Sequence, residues 1–295
     1  MSKDISPTST RWTYFLVWVF CSMALFYRPL LDLFQLAWRD DTASHILLIP
    51  FISGWLLYSE RRILEPGSGF SFLPALYFVV PSIAAACFAL GCGSCSRNDH
   101  LSAYTLSLVL LVVAGFVCLF GTPNARSSSF ALGFLVFAIP IPDLVLNKVI
   151  YWLQAGSAAI AEILFNLSGA PVLRDGFVFR LPKTSIEVAQ ECSGIRSSLA
   201  LLILALLVAH FSFRPIWKKA LFIAAGLAMM LVKNGIRIAT LTLLANYVNP
   251  EFLYGRLHHQ GGVVFFLIGL ALLWPLYWYL RKSDNLSSKP AIEAL

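Results

Sequence analysis

Apolar runs of about the length needed to cross a bilayer recur along this chain, and they limit its fold more than any other feature. The first, "YFLVWVFCSMALFYRPLL" (14–31), has no A-x-A-like cleavage site, so it reads as a retained span and not a removed signal. A helix needs about 20 predominantly apolar residues to cross hydrocarbon, and irregular backbone is not tolerated against lipid. Composition agrees. The 295 residues are 58% hydrophobic and 13% charged, against about a quarter charged in a soluble domain. The fold class expected is an all-α polytopic membrane protein.

Apolar windows between polar breaks give about eight transmembrane helices: 13–31, 44–58, 73–91, 101–120, 129–145, 197–212, 218–247 and 261–280. The whole of 1–295 reads as a single transmembrane domain. Within it, 13–145 are N-terminal spans, 146–191 an outer-face segment, 192–280 the spans carrying reactive side chains, and 281–295 a tail. Lys3 and Arg11, Arg61 and Arg62, Arg126, Arg214 with Lys218 and Lys219, and Arg281, Lys282 and Lys289 fall on one side of this pattern. Lysine and arginine in short loops mark the cytoplasmic side. Both termini are therefore expected inside, with the loops around 40–45, 92–100, 147–191 and 249–259 outside. The net charge of +7 sets topology, and no basic cluster alternates with exposed aromatics, so nucleic acid is not an expected partner.

The outer segment 147–191 is much longer than the other loops. In "NKVIYWLQAGSAAIAEILFNLSG" (147–169) apolar residues recur at helical spacing, and Gly169 can end the helix. Both an interfacial helix and an additional short span fit. "PVLRDGFVFRLP" (171–182) reads as two short strands around Asp175-Gly176, a two-residue hairpin signal. "SIEVA" (185–189) continues extended towards Cys192. A small β-hairpin element on the outer face would then deliver that cysteine to a helix entrance.

Three places carry reactive side chains. In "ECSGIRS" (191–197), a helix starting near Cys192 would put Arg196 one turn on, on the same face. Early helical N–H groups and a guanidinium both favour thiolate, whereas the plain alternative is a buried small apolar residue. In "LVKNGIRIATLTLLANYV" (231–248), Lys233, Asn234 and Arg237 lie inside a span. A charge there costs at least about 2.5 kcal/mol, so such residues normally face a bundle interior and work there. A structural ion pair is the alternative. "GRLHHQGGVVFF" (255–266) brings His258 and His259 to the same outer side, and histidine titrates near neutral pH. A wet interfacial histidine is the ordinary reading of either alone. Together the three places supply a nucleophile, a fixed cation and a proton carrier, the set needed for acyl transfer through a thioester.

These motifs, in this order, resemble the exosortase/archaeosortase family. The similarity takes in "SHILLIP" (44–50), "PIP" (140–142), "GAPVLRDGFVFRLP" (169–182), "ECSGIRS", "NGIR" (234–237) and "HHQGG" (258–262), most of the chain. The resemblance implies a membrane-embedded cysteine protease-transpeptidase. Its partners would be membrane-anchored precursors bearing C-terminal sorting signals of the Pro-Glu-Pro type: a short motif, a transmembrane helix and a basic cluster. By position, Cys192 would be the nucleophile, Arg237 the family arginine and His258 the third member, standing four residues before Gly262 as in the family's H-x-x-x-G pattern. Glu191, Gly194, Arg196, Asn234 and His259 are supporting or substrate-binding candidates. For Glu191 and Arg196, tuning the thiol, holding each other and binding the motif all remain open. Histidine at the third position points to the bacterial exosortases and hence to an inner-membrane protein with its active site facing the periplasm. Val263 departs from the tryptophan that many members carry there.

No cofactor or metal is expected. Asp40, Asp41 and His45 read as loop organisers. Two rival functions are a membrane thiol-disulfide oxidoreductase using the outer-side pair Cys92 and Cys95, and a transporter using Lys233 and Arg237. A loop staple is the simpler reading of the cysteine pair. No inverted repeat supports transport.

Overall fold

The computed structural model describes residues 7–40, 43–61, 64, 70–183, 185–253 and 262–287. Ten α-helices run through these residues: α1 (Pro7–Leu25), α2 (Tyr27–Arg39), α3 (Ile49–Glu60), α4 (Phe72–Gly91), α5 (Arg97–Ser127), α6 (Ser129–Phe134), α7 (Asp143–Ser168), α8 (Ile195–Ser212), α9 (Ile216–Tyr247) and α10 (Gly262–Ser287). Six are long and apolar enough to cross a membrane, namely α4, α5, α7, α8, α9 and α10. The consecutive helices α1 and α2, bent by 81° at Phe26, make a seventh if counted together. The polytopic helical class holds. Two expected spans, 44–58 and 129–145, instead form short elements: a 3₁₀ turn at Ser44–Leu47 followed by α3, and α6 followed by a 3₁₀ turn at Leu135–Ala138. The proline-bounded "PIP" stretch ends the second, because proline cannot continue a helix there. Conversely, α7 is a 26-residue helix of spanning length and composition.

The chain divides into two compact units, Met1–Leu146 and Asn147–Leu295. In the first, α4 and α5 form a hairpin whose turn is closed by a Cys92–Cys95 disulfide, with Cα atoms 5.6 Å apart. Ser82 of α4 donates to the Ser107 carbonyl of α5 at 2.8 Å. Trp12 and Phe15 of α1 pack on Phe116 and Phe120 of α5. The "PIP" stretch is lashed to the start of α5: Asn98 donates to the Ile141 carbonyl at 2.7 Å, and Ser102 donates to that of Pro140 at 2.7 Å. Pro140 has a carbonyl acceptor but no N–H donor, and it is that carbonyl which takes the Ser102 bond.

The second unit holds α7 to α10 and a three-stranded antiparallel sheet, β1 (Leu173–Asp175), β2 (Val178–Arg180) and β3 (Ser185–Glu187), in that order. Asp175 pairs with Val178, so the two-residue loop is Gly176-Phe177, one position later than the Asp-Gly signal suggests. Gly176 takes φ +60° at its first position, which favours glycine there. Phe177, Phe179 and Val188 turn inward onto Ala158, Ala161 and Phe165 of α7 and Ile238 and Ala239 of α9. The half-buried Arg174 of this element meets Glu162 of α7 at 2.6 Å. The outward positions of the spanning helices are apolar, Tyr77, Leu90, Trp152 and Leu167 among them, as a lipid-facing surface requires.

Candidate functional site

Among the described residues, the site candidates Gly194, Arg196 and Asn234 lie at the entrance of α8. Strand β3 leads out of the sheet through Val188, whose N–H donates to the Phe177 carbonyl at 2.9 Å. Its carbonyl accepts from Gln154 of α7 at 2.8 Å. Both backbone groups of Val188 are therefore held just before the chain turns. Residues Gln190–Ser193, Cys192 among them, make a single 3₁₀ turn, and Gly194 follows in the left-handed region at φ +72°, ψ +21°. Only then does α8 begin, at Ile195. The helix expected to start near Cys192 is thus interrupted, and Arg196 falls in the first turn of α8, exposed, and not one regular turn beyond Cys192 on a shared face. The break puts the amino end of α8, with its unsatisfied N–H groups and partial positive charge, directly after the cysteine.

Gly194 is required twice. Its backbone conformation is one that L side chains resist, and a Cβ there would sit 2.7 Å from Oδ1 of Asn234 on α9. Asn234, 1% exposed, donates through Nδ2 to the Ser193 carbonyl at 3.1 Å and to Ser157 Oγ of α7 at 3.1 Å. One amide thus joins the residue after Cys192 to two helices. The next residue, Gly235, makes that approach possible. A Cβ on it would lie 2.5 Å from Ile160 Cγ2 and 3.2 Å from the Ser157 carbonyl.

Lys233 is also 1% exposed. Its ammonium donates to Ser197 Oγ of α8, and that hydroxyl donates to the Gly194 carbonyl at 3.1 Å. Arg237, half-buried, follows Asn234 by three residues, so it shares its face of α9 about 4.5 Å further along the axis. The structure therefore brings Gly194 and Asn234 together and sets Arg237 on the neighbouring turn. The side chains of Glu191 and Cys192, and the whole of 254–261 with His258 and His259, lie outside the described residues. Ser157, Gln154 and Ser197 were not singled out by the sequence. The small-residue run "AGSAA" (155–159) of α7 is a sequence signal that could have pointed to close helix approach there, though not to the role of Ser157.

Taken together, these features define a polytopic membrane protein in which a cysteine-bearing turn is fixed to a cationic segment of a spanning helix. The transmembrane exosortase family model matches residues 37–275, and the chain belongs to that family. No protein of curated function and no solved structure matches it.

Proposed function

We propose that this exosortase is a cysteine protease-transpeptidase acting on C-terminal sorting signals of exported proteins, of the Pro-Glu-Pro type. The observation that carries the reading is the Asn234 amide on the Ser193 carbonyl. It ties the Cys192 turn to α9 one turn from Arg237, in a chain of this family.

In this reading the precursor's own helix docks laterally with its basic tail cytoplasmic and its motif at the periplasmic face of the inner membrane. The Cys192 thiolate attacks the scissile carbonyl, forming a C–S bond while the carbonyl oxygen gains negative charge. Arg237 faces that oxyanion, and a desolvated donor there is worth about 10²–10³ in rate. His258 protonates the leaving amine as the C–N bond breaks. The thioester is then opened by an acceptor nucleophile or by water, which restores the thiol. His259, Glu191 and Arg196 serve binding or thiol tuning.

Cys192→Ala, Arg237→Ala and His258→Ala should each leave the protein in the membrane and abolish removal of the precursor's C-terminal helix, read by mass spectrometry of the precursor. His259→Ala should lower processing without abolishing it. Normal processing by Cys192→Ala would overturn the reading.

A further inference from the structure

Lys233 has no part in the mechanism above, yet a lysine inside a spanning helix is expensive and demands a reason. Its surroundings supply one. The aliphatic stem lies against Gly269 of α10, where a Cβ would sit 3.5 Å from Lys233 Cβ. The ammonium reaches across to Ser197 of α8. Lys233 therefore stands where α8, α9 and α10 meet, and α10 is the helix that follows the histidine pair. Its neighbour Asn234 holds the Ser193 carbonyl directly. Lys233 holds the Gly194 carbonyl through Ser197, whose hydroxyl both accepts from the lysine and donates onward. Two consecutive residues of α9 thus grip two consecutive carbonyls of the turn after Cys192.

The positive charge is placed against intuition. It lies beside the amino end of α8, which already carries partial positive charge, and one turn from Arg237 on its own helix. The other charged residues on the elements packed here are Arg196 on α8, Asp143, Lys148 and Glu162 on α7, Lys218, Lys219 and Arg237 on α9, Glu187 on β3 and Glu191 on the turn itself; α10 carries none before Arg281. Glu162 is engaged by Arg174. Such a concentration of positive potential is costly unless it stabilises an anion formed at that spot.

We propose that Lys233 is a positioning residue, a fixed cation behind the Cys192 turn that is tethered through Ser197 to the Gly194 carbonyl and favours the thiolate of Cys192. It does not touch the substrate. The inference rests on the reading of Cys192 as the nucleophile, and its test does not require a substrate.

The test uses the full chain in detergent with Cys21, Cys87 and Cys118 replaced by alanine and the Cys92–Cys95 disulfide kept, so that Cys192 is the one thiol left. The rate of its modification by iodoacetamide is followed from pH 5 to 10, with thermal unfolding as a check on folding. Lys233→Met keeps the stem and removes the charge. It should raise the midpoint of the profile by about one pH unit and slow modification at pH 7 about tenfold. Ser197→Ala keeps the charge but frees it, and should shift the midpoint in the same direction by less. A folded Lys233→Met protein with the parent midpoint overturns the proposal. If Lys233→Met does not fold, Ser197→Ala decides, and an unmoved midpoint there overturns it equally. Failure of the protease reading is recognised separately, by processing that survives Cys192→Ala.

Discussion

Asn234 and Ser193 are 41 positions apart in the chain, yet the side-chain amide of the first donates to the backbone carbonyl of the second at 3.1 Å in a buried setting. The same amide reaches Ser157, 77 positions away. The bond fixes the turn that carries Cys192 relative to α9, and it makes asparagine, not merely a polar residue, the requirement at 234.

Asn234→Asp retains the shape and loses the donor, leaving a carboxylate facing a carbonyl. A buried acceptor stripped of its partner costs about 1–3 kcal/mol. The variant should unfold several degrees lower and lose most processing, and Asn234→Ala should behave similarly. Wild-type processing by Asn234→Asp would show that the tie is dispensable.

Two glycines with positive φ separate backbone strain from crowding. At Gly176 (φ +60°) no heavy atom lies within 4 Å of a built Cβ, so alanine meets only the left-handed penalty of about 1–2 kcal/mol. Gly176→Ala should keep processing near normal. At Gly194 (φ +72°) alanine adds a 2.7 Å clash with Asn234 Oδ1. Gly194→Ala should be more destabilised, by thermal unfolding, and inactive in precursor processing.

Gly235 faces Ile160 at 2.5 Å from a built Cβ. Gly235→Ala forces α7 and α9 apart and should cost about 1–3 kcal/mol. Ile160→Ala opens space for the new methyl, so the double variant should be more stable than the sum of the single changes indicates. Strictly additive losses in thermal unfolding would show that the two residues do not meet.

Cys92 and Cys95 close a very short loop, so their disulfide restricts the unfolded chain little. Replacing both with serine should cost about 2 kcal/mol at most and leave precursor processing intact. A thiol-disulfide oxidoreductase would lose its activity instead, which makes this double variant the sharpest discriminator between the two functions.

Much of this architecture was legible in the residues. Apolar length announced α4, α5, α8, α9 and α10, and alternation with a glycine turn announced the hairpin before Cys192. The sequence reading went astray where length and periodicity do not decide. A window such as 129–145 is mostly apolar, yet Pro140 and Pro142 break it; for 147–169 periodicity left an interfacial helix and a span both open, and α7 runs 26 residues with spanning composition. The hairpin loop moved by one residue because pairing of Asp175 with Val178 makes the aspartate a strand residue. Cys192, Arg237 and Asn234 stood out as side chains costly or reactive at a membrane entrance. Ser157, Gln154 and Ser197 could not, because a serine or glutamine acquires its role only from a partner brought near by folding.

The glycines at 194 and 235 divide the molecule's tolerance to change very unevenly. Most of the outward surface is a greasy coat on which one apolar residue replaces another at little cost, as the exposed Tyr77, Leu90 and Leu167 illustrate. At these two positions of the second unit, a single methyl group would meet a neighbour 2.7 or 2.5 Å away. A saturation library of this chain should therefore give a quiet map with a few sharp spikes, and those spikes should trace the close helix contacts of the second unit.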